Sequence, residues 1–499
     1  MGTLRTFATH TAVLRGVEAF PVTVEVSVSQ GIPGITIVGL ADTSVMEARH
    51  RIRCALKEHG FEIPRAHITV NLAPSEIRKS GTGFDLPIAV AILACTGQIP
   101  LDGLDECLFV GELRLNGDVS VVRGIVAYDM LARNEHLHLV TADVRFPSKS
   151  GALLCQGVAD LLRGVRELPT PSIGSQTNDD TEAETDDLDF SDVVDQEMAK
   201  RAFVIAAAGN HGLLMVGPPG AGKSMMAKRM PTILPKLDEQ ELAETLLVYS
   251  VAGLDLESIQ AGKRPFRAPH HAISGGGMVG GGKPVTPGEV SLAHHGVLFL
   301  DELPEFGPSV LQSLRQPLED GVVRIVRVEG NYVFPCKFML VAAANPCPCG
   351  YLGDQDHTCT CSASRIQAYQ SRIGGPLMDR IDVLVDVARP APARIISGEG
   401  GTSSKQMSED VASAREFASW RCRKEGTGGG AKAGTVTAQH LDAKARSTLD
   451  GVARRLGLGG RNIVRIARVA RTIADLAEEP EVNQDHVIEA CAFRTRATL

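Results

Sequence analysis

The alternation of apolar and polar residues near the start of the chain predicts a mixed α+β domain. Val22–Val28 and Ala66–Leu72 alternate with the two-residue period of half-buried strands. Between them, Glu47–His59 has the composition of a helix, and the apolar run Asp85–Cys95 predicts a buried helix. That run is too short to cross a bilayer, which takes roughly 18 apolar residues.

A different pattern follows, in which short apolar runs alternate with helical segments. Leu213–Val216, Val297–Leu300 and Phe338–Ala342 have the uniform hydrophobicity of strands that are buried on both faces. Gln196–Gly209 and Lys223–Met230 have helical composition and flank the first of these strands. Strands that alternate with helices predict an α/β domain with a parallel sheet and crossover helices.

The remaining segments carry weaker signals. Gly275–Gly282 is glycine-rich and predicts a mobile loop. Asp410–Arg423 is a predicted helix within a stretch that is otherwise rich in Ser, Gly and Lys. The last part of the chain has helical composition, and Leu456–Glu479 carries arginines on a repeating face.

The formal net charge of the 499 residues is −8, and the acidic excess is concentrated in one run. That run contains no base, and its acids are Asp179, Asp180, Glu182, Glu184, Asp186, Asp187, Asp189 and Asp192. Such a polar run predicts a solvated linker that buries too little surface to fold. Because the rest of the chain is nearly neutral, net charge neither indicates nor excludes a nucleic-acid partner.

The linker divides the chain into predicted regions. They are a domain at 1–170, an acidic linker at 171–191, an α/β core at 192–390, a variable connector at 391–435 and a helical domain at 436–499. Hydrophobic residues make up 43% and charged residues 22%, which is typical of soluble proteins. The N-terminal residues lack the apolar core of a secretory signal, so we expect a cytoplasmic protein with no membrane association.

One motif predicts nucleotide binding. Its residues are Gly217, Pro218, Pro219, Gly220, Ala221, Gly222, Lys223 and Ser224, which fit the phosphate-loop pattern between a strand and a helix. Glycines in such a loop let successive backbone N–H groups surround an anion at a helix N-terminus. Lys223 would contact the β and γ phosphates, and Ser224 would bind Mg²⁺.

Polar residues follow two further apolar strands. Asp301 and Glu302 follow Val297–Leu300, where Asp301 would hold Mg²⁺ and Glu302 would polarise the water that attacks the γ-phosphorus. Asn345 follows the run that begins at Phe338, and its amide would orient that water. An isolated acid pair or asparagine is often only a strand end or a turn, but the phosphate loop upstream favours the catalytic interpretation.

Four of the eleven cysteines have the spacing of a metal site. Cys347 and Cys349 form one Cys-x-Cys pair, Cys359 and Cys361 form another, and the segment between them is long enough to bring both pairs together. Four thiolates would suit a structural, tetrahedral Zn²⁺, and four reduced thiols in a loop are the alternative.

Two histidine pairs, His270-His271 and His294-His295, are also candidate ligands. Adjacent side chains on a strand point to opposite faces, so we do not expect either pair to chelate a metal ion.

The order of these motifs resembles the AAA+ ATPases of the magnesium-chelatase type and, more narrowly, the bacterial YifB/ComM group. The matching stretches are Phe84–Ile88, Phe266–His271, Pro287–Leu292, Asn345–Tyr351, Gly375–Asp382 and Arg468–Leu476. The resemblance implies an α/β fold with a P-loop AAA+ core, an N-terminal ribosomal-S5/Lon-like α+β domain and a C-terminal helical lid.

The resemblance also implies a homo-oligomeric ring, a hexamer, that binds ATP and Mg²⁺ at each subunit interface. Arg380 matches the arginine finger that acts on the neighbouring subunit's nucleotide, and Arg461 matches the lid arginine that contacts the γ-phosphate of its own subunit. A permanently cationic, planar donor would stabilise the charge that develops on the transferred phosphoryl group. For either arginine a surface ion pair is the alternative.

DNA is the substrate that the resemblance implies, with helicase or branch-migration activity in the recombination of incoming DNA. Arg324 and Arg327 lie on a predicted hairpin that would point into the central pore of the ring, although three-residue spacing puts them on opposite faces of a strand. A chelatase-type motor and a protein-remodelling ATPase are the alternatives. The adhesion-module motif Asp-x-Ser-x-Ser of the chelatase partner is absent from the sequence.

Two departures from related patterns affect these expectations. In the N-terminal domain, Gly83 and Val126 occupy the positions of the Lon-type serine and lysine, so we expect no protease activity. Asp195-Gln196 replaces the Gly-Gln that usually precedes the nucleotide-binding strand, which leaves the adenine contacts open.

Overall fold

The computed structural model describes residues 6–171, 188–328, 330–354, 356–373, 375–397, 401–424 and 440–494. Most of the predicted acidic linker and the end of the variable connector lie outside these residues. Among the helices that the structure describes, none is both long enough and apolar enough to cross a membrane.

The N-terminal region has α and β elements, as predicted. Its strands are β1 (Thr6–Arg15), β2 (Glu18–Ser29), β3 (Gly34–Val38), β4 (His67–Ala73), β5 (Cys107–Phe109), β6 (Glu112–Leu113), β7 (Val119–Ser120), β8 (His138–Thr141) and β9 (Leu153–Leu154). Its α-helices are α1 (Thr43–Glu58), α2 (Asp85–Cys95) and α3 (Ile125–Asn134). Short 3₁₀ helices cover Leu104–Glu106, Val158–Arg163 and Val165–Glu167.

A seven-stranded mixed sheet organises this region in the order β3-β4-β2-β1-β5-β8-β9. The alternation noted in the sequence places Val22, Val24 and Val26 of β2 in the core. All residues of α2 are buried, which explains why this helix is apolar on every side. Gly83 and Val126, at the two positions of the Lon-type serine and lysine, have apolar surroundings. Gly83 faces Val110 and Val122, and the Val126 side chain is buried.

The α/β core comprises many short elements. Its strands are β10 (Leu213–Val216), β11 (Phe266–Arg267), β12 (Gly280–Gly281), β13 (Thr286–Pro287), β14 (Val297–Leu300), β15 (Val322–Arg327), β16 (Gly330–Pro335), β17 (Met339–Ala344) and β18 (Val383–Asp386). Its α-helices are α4 (Glu197–Gly209), α5 (Lys223–Ile233), α6 (Glu239–Ala252), α7 (Glu257–Gln260), α8 (Gly275–Val279), α9 (Glu289–Leu292), α10 (Pro308–Ser313), α11 (Arg315–Asp320), α12 (Ala363–Gln370) and α13 (Gly375–Met378). The 3₁₀ helices are Phe190–Asp192, Leu303–Glu305 and Ser371–Ile373.

The predicted parallel sheet is present in the core, in the order β11-β14-β17-β10-β18. Each neighbouring pair in this sheet is parallel, so the carboxyl ends of all its strands lie at one edge. Every residue of β10, β14 and β17 is buried, as their unbroken hydrophobicity predicts. Polar residues that follow these strands are therefore brought together at the carboxyl edge.

Helices complete the chain: α14 (Pro392–Ser397), α15 (Ser404–Lys424), α16 (Ala443–Leu456), α17 (Gly460–Leu476) and α18 (Gln484–Ala492). Helix α15 contains the predicted helix Asp410–Arg423 but begins six residues earlier than predicted, at Ser404. The Ser404 side chain is buried, and its hydroxyl accepts a hydrogen bond from the backbone N–H of Phe190, so contact with the core stabilises this first turn.

The glycine-rich run Gly275–Gly282 forms a short helix and a strand where a loop was predicted. The Ser274 hydroxyl accepts a hydrogen bond from the N–H of Gly277 and caps the short helix α8. Gly280 and Gly281 then pair with β13. A methyl group on Gly280 would lie 2.7 Å from the carbonyl oxygen of Thr286, so glycine at this position permits close backbone approach.

One hydrophobic cluster joins the N-terminal region to the core. It combines side chains from the N-terminal sheet and from α3, including Ile125 and Tyr128, with Leu246 and Tyr249 of α6. Hydrogen bonds reinforce the contact, because the N–H groups of Gly124 and Val126 donate to the carbonyl and hydroxyl oxygens of Ser250. The N-terminal region and α6 are thus packed into a single unit.

Candidate active site

The phosphate-loop residues join strand β10 to helix α5. Gly220 and Gly222 have φ angles of +79° and +85°, a region that favours glycine, and a methyl group on either would meet no atom within 4 Å. Gly217 is crowded, because a methyl group there would lie 2.1 Å from the carbonyl oxygen of Val387. The loop is therefore tight where it leaves the sheet and open where an anion would meet the N-terminus of α5.

Lys223 lies inside this loop. Its ammonium donates to the carbonyl oxygens of Gly217 and Pro218 at 2.7 and 2.9 Å, and to the Asn345 Oδ1 at 3.1 Å. Burial lowers the pKa of Lys223 to about 8, although the nearby carboxylates of Asp301 and Glu302 act in the opposite direction. A bound polyphosphate would favour the charged ammonium further.

The two acids after β14 differ in their surroundings. Asp301 accepts a hydrogen bond from the Ser224 hydroxyl at 2.6 Å, so two oxygen ligands suited to Mg²⁺ are adjacent. The Glu302 side chain is 55% exposed, and its backbone has a φ of +51°. The Glu302 side chain is therefore separate from the Ser224–Asp301 pair and partly exposed, so a water molecule could reach its carboxylate.

Asn345 completes the group at the carboxyl edge. It follows β17, which lies between β14 and β10, so its amide emerges between the acids and the phosphate loop. Its carbonyl oxygen already accepts a hydrogen bond from Lys223. The structure thus brings Lys223, Ser224, Asp301, Glu302 and Asn345 together.

The sequence analysis missed one neighbour of Glu302. The Nδ1 atom of His271 lies 3.4 Å from a Glu302 carboxylate oxygen. His271 belongs to the Phe266–His271 motif, whose match to related sequences was the available signal. The motif alone could not show which side chain His271 contacts.

Arg380 lies at the amino end of the parallel sheet, opposite the phosphate loop. Its carbonyl oxygen packs against Gly212, which immediately precedes β10, and its guanidinium contacts the Glu319 carboxylate. The four-residue strand β10 separates this edge from the phosphate loop by about 13 Å. Arg380 therefore does not face the phosphate loop of its own subunit.

Arg461 lies on the same side as Arg380. Its guanidinium donates to the carboxylate of Asp379 at 3.1 Å, directly beside Arg380 in the sequence. The contact of Arg461 with the γ-phosphate of its own subunit stays a prediction. The motif match identified an exposed arginine but could not show which edge of the sheet its helix covers.

A buried hydrogen-bond network lies at the amino end of the parallel sheet. The His211 Nδ1 lies 3.0 Å from the Asp382 carboxylate, and its Nε2 lies 2.8 Å from the Thr472 hydroxyl of α17. Hydrogen bonding from His211 helps to lower the pKa of Asp382 despite its burial. The network joins the C-terminal helices to the strand that leads into the phosphate loop.

The four cysteines converge on one point. Their sulfur atoms lie within 4.8 Å of one another, with Sγ–Sγ distances of 3.3 Å for Cys347–Cys349, 3.7 Å for Cys347–Cys359 and 3.6 Å for Cys349–Cys359. Ligands on a tetrahedral Zn²⁺ with bonds of about 2.3 Å lie roughly 3.8 Å apart. Backbone N–H groups, first that of Tyr351, lower the pKa of Cys349 to about 6, whereas, despite the backbone N–H of Cys361, desolvation and the adjacent thiols raise the pKa of Cys359 to about 11. The donor set and its spacing fit a metal ion.

The second histidine pair forms a cluster that the sequence analysis did not expect. His294 and His295 lie in a turn, and the φ of +54° at His295 turns both rings toward Glu244, so the strand argument was wrong. Their Nε2 atoms lie 3.1 and 2.8 Å from the same Glu244 oxygen. The His294 Nδ1 accepts the backbone N–H of Lys337, so its proton is on Nε2 and is donated to Glu244. That proton leaves His294 no lone pair for a metal.

This cluster predicts acid sensitivity. Burial lowers the pKa of His294 to about 4, below its ordinary value of 6.5. Between these values the unfolded chain binds the extra proton and the folded chain does not, so stability rises with pH. We expect the free energy of unfolding to fall by roughly 2 kcal/mol between pH 7 and pH 5 from this group.

Urea denaturation at both pH values would measure the change. His294→Asn keeps an acceptor for the Lys337 N–H but does not titrate, so its pH dependence should be smaller. His136→Asn is the matched control, because His136 is exposed and has a φ of +57° that asparagine tolerates. An unchanged slope in His294→Asn would contradict the assignment.

Asp195 explains one departure from the related sequences. Its φ of +58° lies in the region that glycine adopts most readily. The Asp195 carboxylate pairs with Arg394 at 3.0 Å and accepts the N–H of Ala391, contacts that glycine could not make. Gln196 donates to the carbonyl oxygen of Ala388. Asp195 and Gln196 therefore connect the start of α4 to the segment after β18.

Comparisons with known proteins match nearly the whole chain. Family models described as magnesium chelatase, subunit ChlI, match residues 189–395, and models of subunit ChlI of Mg-chelatase and of its C-terminal part match residues 24–143 and 401–494. The chain is 38% identical to YifB of Escherichia coli (strain K12), over 97% of this chain and 96% of that protein. It is 40% identical to the competence protein ComM of Haemophilus influenzae, over the same shares of the two chains. A 67 kDa magnesium-chelatase subunit of Chlorobaculum tepidum is 28% identical over 32% of this chain.

The AAA+ type of this family implies ATP and Mg²⁺ as ligands, which agrees with the residues at the carboxyl edge of the parallel sheet. The full-length matches, the phosphate loop and the strand-end residues together show that the chain belongs to the magnesium-chelatase-like AAA+ family that includes YifB and ComM.

Proposed function

We propose that the protein is an ATP-hydrolysing ring motor that moves along DNA, with a ComM-like helicase or branch-migration role in the recombination of incoming DNA. One observation carries the motor part of this proposal. The phosphate-loop residues and the acids lie at one edge of the core sheet, whereas Arg380 lies at the other. An arginine in that position can reach a nucleotide only in a neighbouring copy.

Each group at the carboxyl edge then has a separate role. The phosphate loop and Lys223 hold the β and γ phosphates, and Ser224 and Asp301 hold Mg²⁺. Glu302 takes up a proton from the attacking water as it approaches the γ-phosphorus, and Asn345 orients that water. The products are ADP and inorganic phosphate.

A neighbouring subunit supplies a further positive charge at the γ-phosphate. Arg380 of one copy stabilises the charge that spreads over the γ-phosphoryl oxygens in the next. Closure of such head-to-tail contacts gives a ring, which we propose is a hexamer.

Support for DNA as the substrate comes from the relatives and from one hairpin. ComM of Haemophilus influenzae is named a competence protein. The hairpin of β15 and β16 carries Arg324 and Arg327, both exposed, and its end presents Val326 at 74% and Val328 at 108% exposure. An exposed, basic hairpin suits contact with a phosphate backbone inside a ring.

We therefore expect forked or single-stranded DNA to raise the rate of ATP hydrolysis. Arg324→Ala and Arg327→Ala should each weaken DNA binding, and each should lower the slope of log affinity against log salt concentration by about 1. Fluorescence anisotropy with a labelled DNA, measured at several salt concentrations, would give this slope. Arg145→Ala is the matched control, because Arg145 is an exposed arginine of the N-terminal region that pairs with its sequence neighbour Asp143.

The same ATPase assay separates the alternatives. Stimulation by unfolded protein but not by DNA would replace the DNA proposal with protein remodelling. Stimulation that requires a porphyrin and a second chelatase subunit would favour a chelatase-type motor.

We also propose that Cys347, Cys349, Cys359 and Cys361 bind a structural Zn²⁺ and that the protein works in the cytoplasm without membrane contact. The sulfur spacing supports zinc. Zinc would supply cross-linking of the segment between the two cysteine pairs rather than chemistry on the nucleotide. Metal analysis of the purified protein should find about one zinc per chain.

A further inference from the structure

The cysteine cluster lies directly against the phosphate loop. Gly350 follows Cys349 and has a φ of +85°, and a methyl group on it would lie 2.6 Å from the Pro219 ring. Pro219 is one of the loop residues that would surround the phosphates. The segment that the cysteines fold is thus in van der Waals contact with the nucleotide site.

Arg389 makes a second connection between the two. It lies beyond the carboxyl end of β18, and its Nε donates to the carbonyl oxygen of Pro219 at 3.3 Å. Its guanidinium also lies 3.1 Å from the Nδ1 of His357 and 5.4 Å from the centre of the Tyr351 ring. Tyr351 and His357 stack on each other with ring centres 4.8 Å apart.

Those contacts lie between the two cysteine pairs. Tyr351, Asp354 and His357 all belong to the segment that Cys349 begins and Cys359 ends, and the Asp354 carboxylate lies 3.7 Å from Arg389. The position of Arg389 under the phosphate loop therefore depends on how this segment is folded. Four thiolates without a metal would leave the segment with fewer constraints than four thiolates on a metal.

The chain enters the cysteine cluster directly from the nucleotide site. Asn345 precedes Cys347 by one proline, and its amide accepts a hydrogen bond from Lys223. Three contacts thus connect the cysteine segment to the site: Asn345 to Lys223, Gly350 to Pro219, and Arg389 to Pro219.

We propose that metal binding by the four cysteines and ATP binding by the phosphate loop stabilise each other, with Arg389 as the positioning residue between them. This inference rests on the proposed nucleotide and zinc sites. A metal that orders the cysteine segment holds Arg389 and Pro219 in place before the nucleotide arrives, so less ordering remains to oppose ATP binding. By linkage, ATP must then retain the metal by the same factor.

The reciprocal effect gives a test that does not depend on hydrolysis. The Glu302→Gln protein, loaded with Zn²⁺, is equilibrated with a chromophoric zinc chelator, and the affinity for Zn²⁺ is measured with and without ATP and Mg²⁺. Because Glu302→Gln slows hydrolysis, ATP persists during the measurement. We expect ATP to raise the affinity for Zn²⁺ by about fivefold or more, the usual lower range of coupling between sites.

Arg389 is then tested in the same background. Adding Arg389→Gln should reduce the protection by ATP to less than about twofold, while zinc content stays at that of the parent protein. Arg166→Gln is the matched control, because Arg166 is an ion-paired arginine of the N-terminal region with contacts to Asp102 and Glu106. It should leave the protection at the parent value. Gly350→Ala, which crowds Pro219, provides a second variant that should also weaken the protection.

The outcomes separate this inference from the proposals on which it depends. A fluorescent ATP analogue measures nucleotide binding directly in each protein. Failure to bind nucleotide would overturn the proposed function, and failure to bind zinc would overturn the zinc site and this inference with it. Binding of both ligands with equal Zn²⁺ affinities in the presence and absence of ATP would overturn the coupling alone, as would full protection in Arg389→Gln.

Discussion

Replacing Arg380 with alanine is expected to lower the rate of ATP hydrolysis by about 10³ to 10⁵, the contribution of an arginine that acts on the transferred phosphoryl group. The same subunit should still bind ATP, because Arg380 lies at the edge of the core sheet away from its own phosphate loop. Steady-state ATPase assays and binding of a fluorescent nucleotide would measure the two effects. Arg315→Ala is the control, because Arg315 contacts the same Glu319 but lies outside the proposed finger position.

Mixing experiments test whether Arg380 acts between subunits. Lys223→Ala removes nucleotide binding from a subunit but leaves its Arg380 intact. In a mixed ring, such a subunit can present Arg380 to the nucleotide of an Arg380→Ala neighbour. Two inactive preparations should therefore regain hydrolysis when combined, and a mixture that stays inactive would argue against action across the interface.

Glu302→Gln is the second substitution with a large expected effect. It should reduce hydrolysis by about 10² to 10⁴, because an amide cannot take up the proton of the attacking water. Binding of ATP with Mg²⁺ should persist, since the Ser224–Asp301 pair is separate from the Glu302 side chain.

Glu305→Gln provides the matched control for that substitution. Glu305 is an exposed acid just after Glu302, and it pairs with Arg372. Its replacement should leave hydrolysis near the wild-type rate. If Glu302→Gln displaced DNA strands or hydrolysed ATP as fast as the wild type, the assignment of the proton acceptor would be wrong.

The local structure around the phosphate loop could be predicted because the signals there are local. A buried strand, a glycine loop and a helix follow each other without a gap, so strand Leu213–Val216 and a helix that begins at Lys223 were confirmed. The carboxyl ends of parallel strands share one edge, so residues distant in sequence, such as Asp301 and Asn345, could be expected to meet Lys223. The boundaries of the predicted domains remain predictions.

Positions that depend on an unusual backbone angle or on distant packing could not be predicted. A positive φ at His295 directs two adjacent histidines to Glu244, and no pattern in the sequence signals that angle. Arg461 fits a motif, but only the packing of α17 against the start of β18 decides which edge it faces. The Ser274 cap is visible in the sequence, yet the glycines that follow it favoured a loop.

The hydrophobic cluster between α3 and α6 has a mechanical consequence. Leu246 and Tyr249 bury their side chains among residues of the N-terminal sheet and α3, so a shift of α6 drags that whole sheet with it. Strand β3 lies at the opposite side of that sheet from β9, so it would move together with α6 as long as these buried contacts are kept.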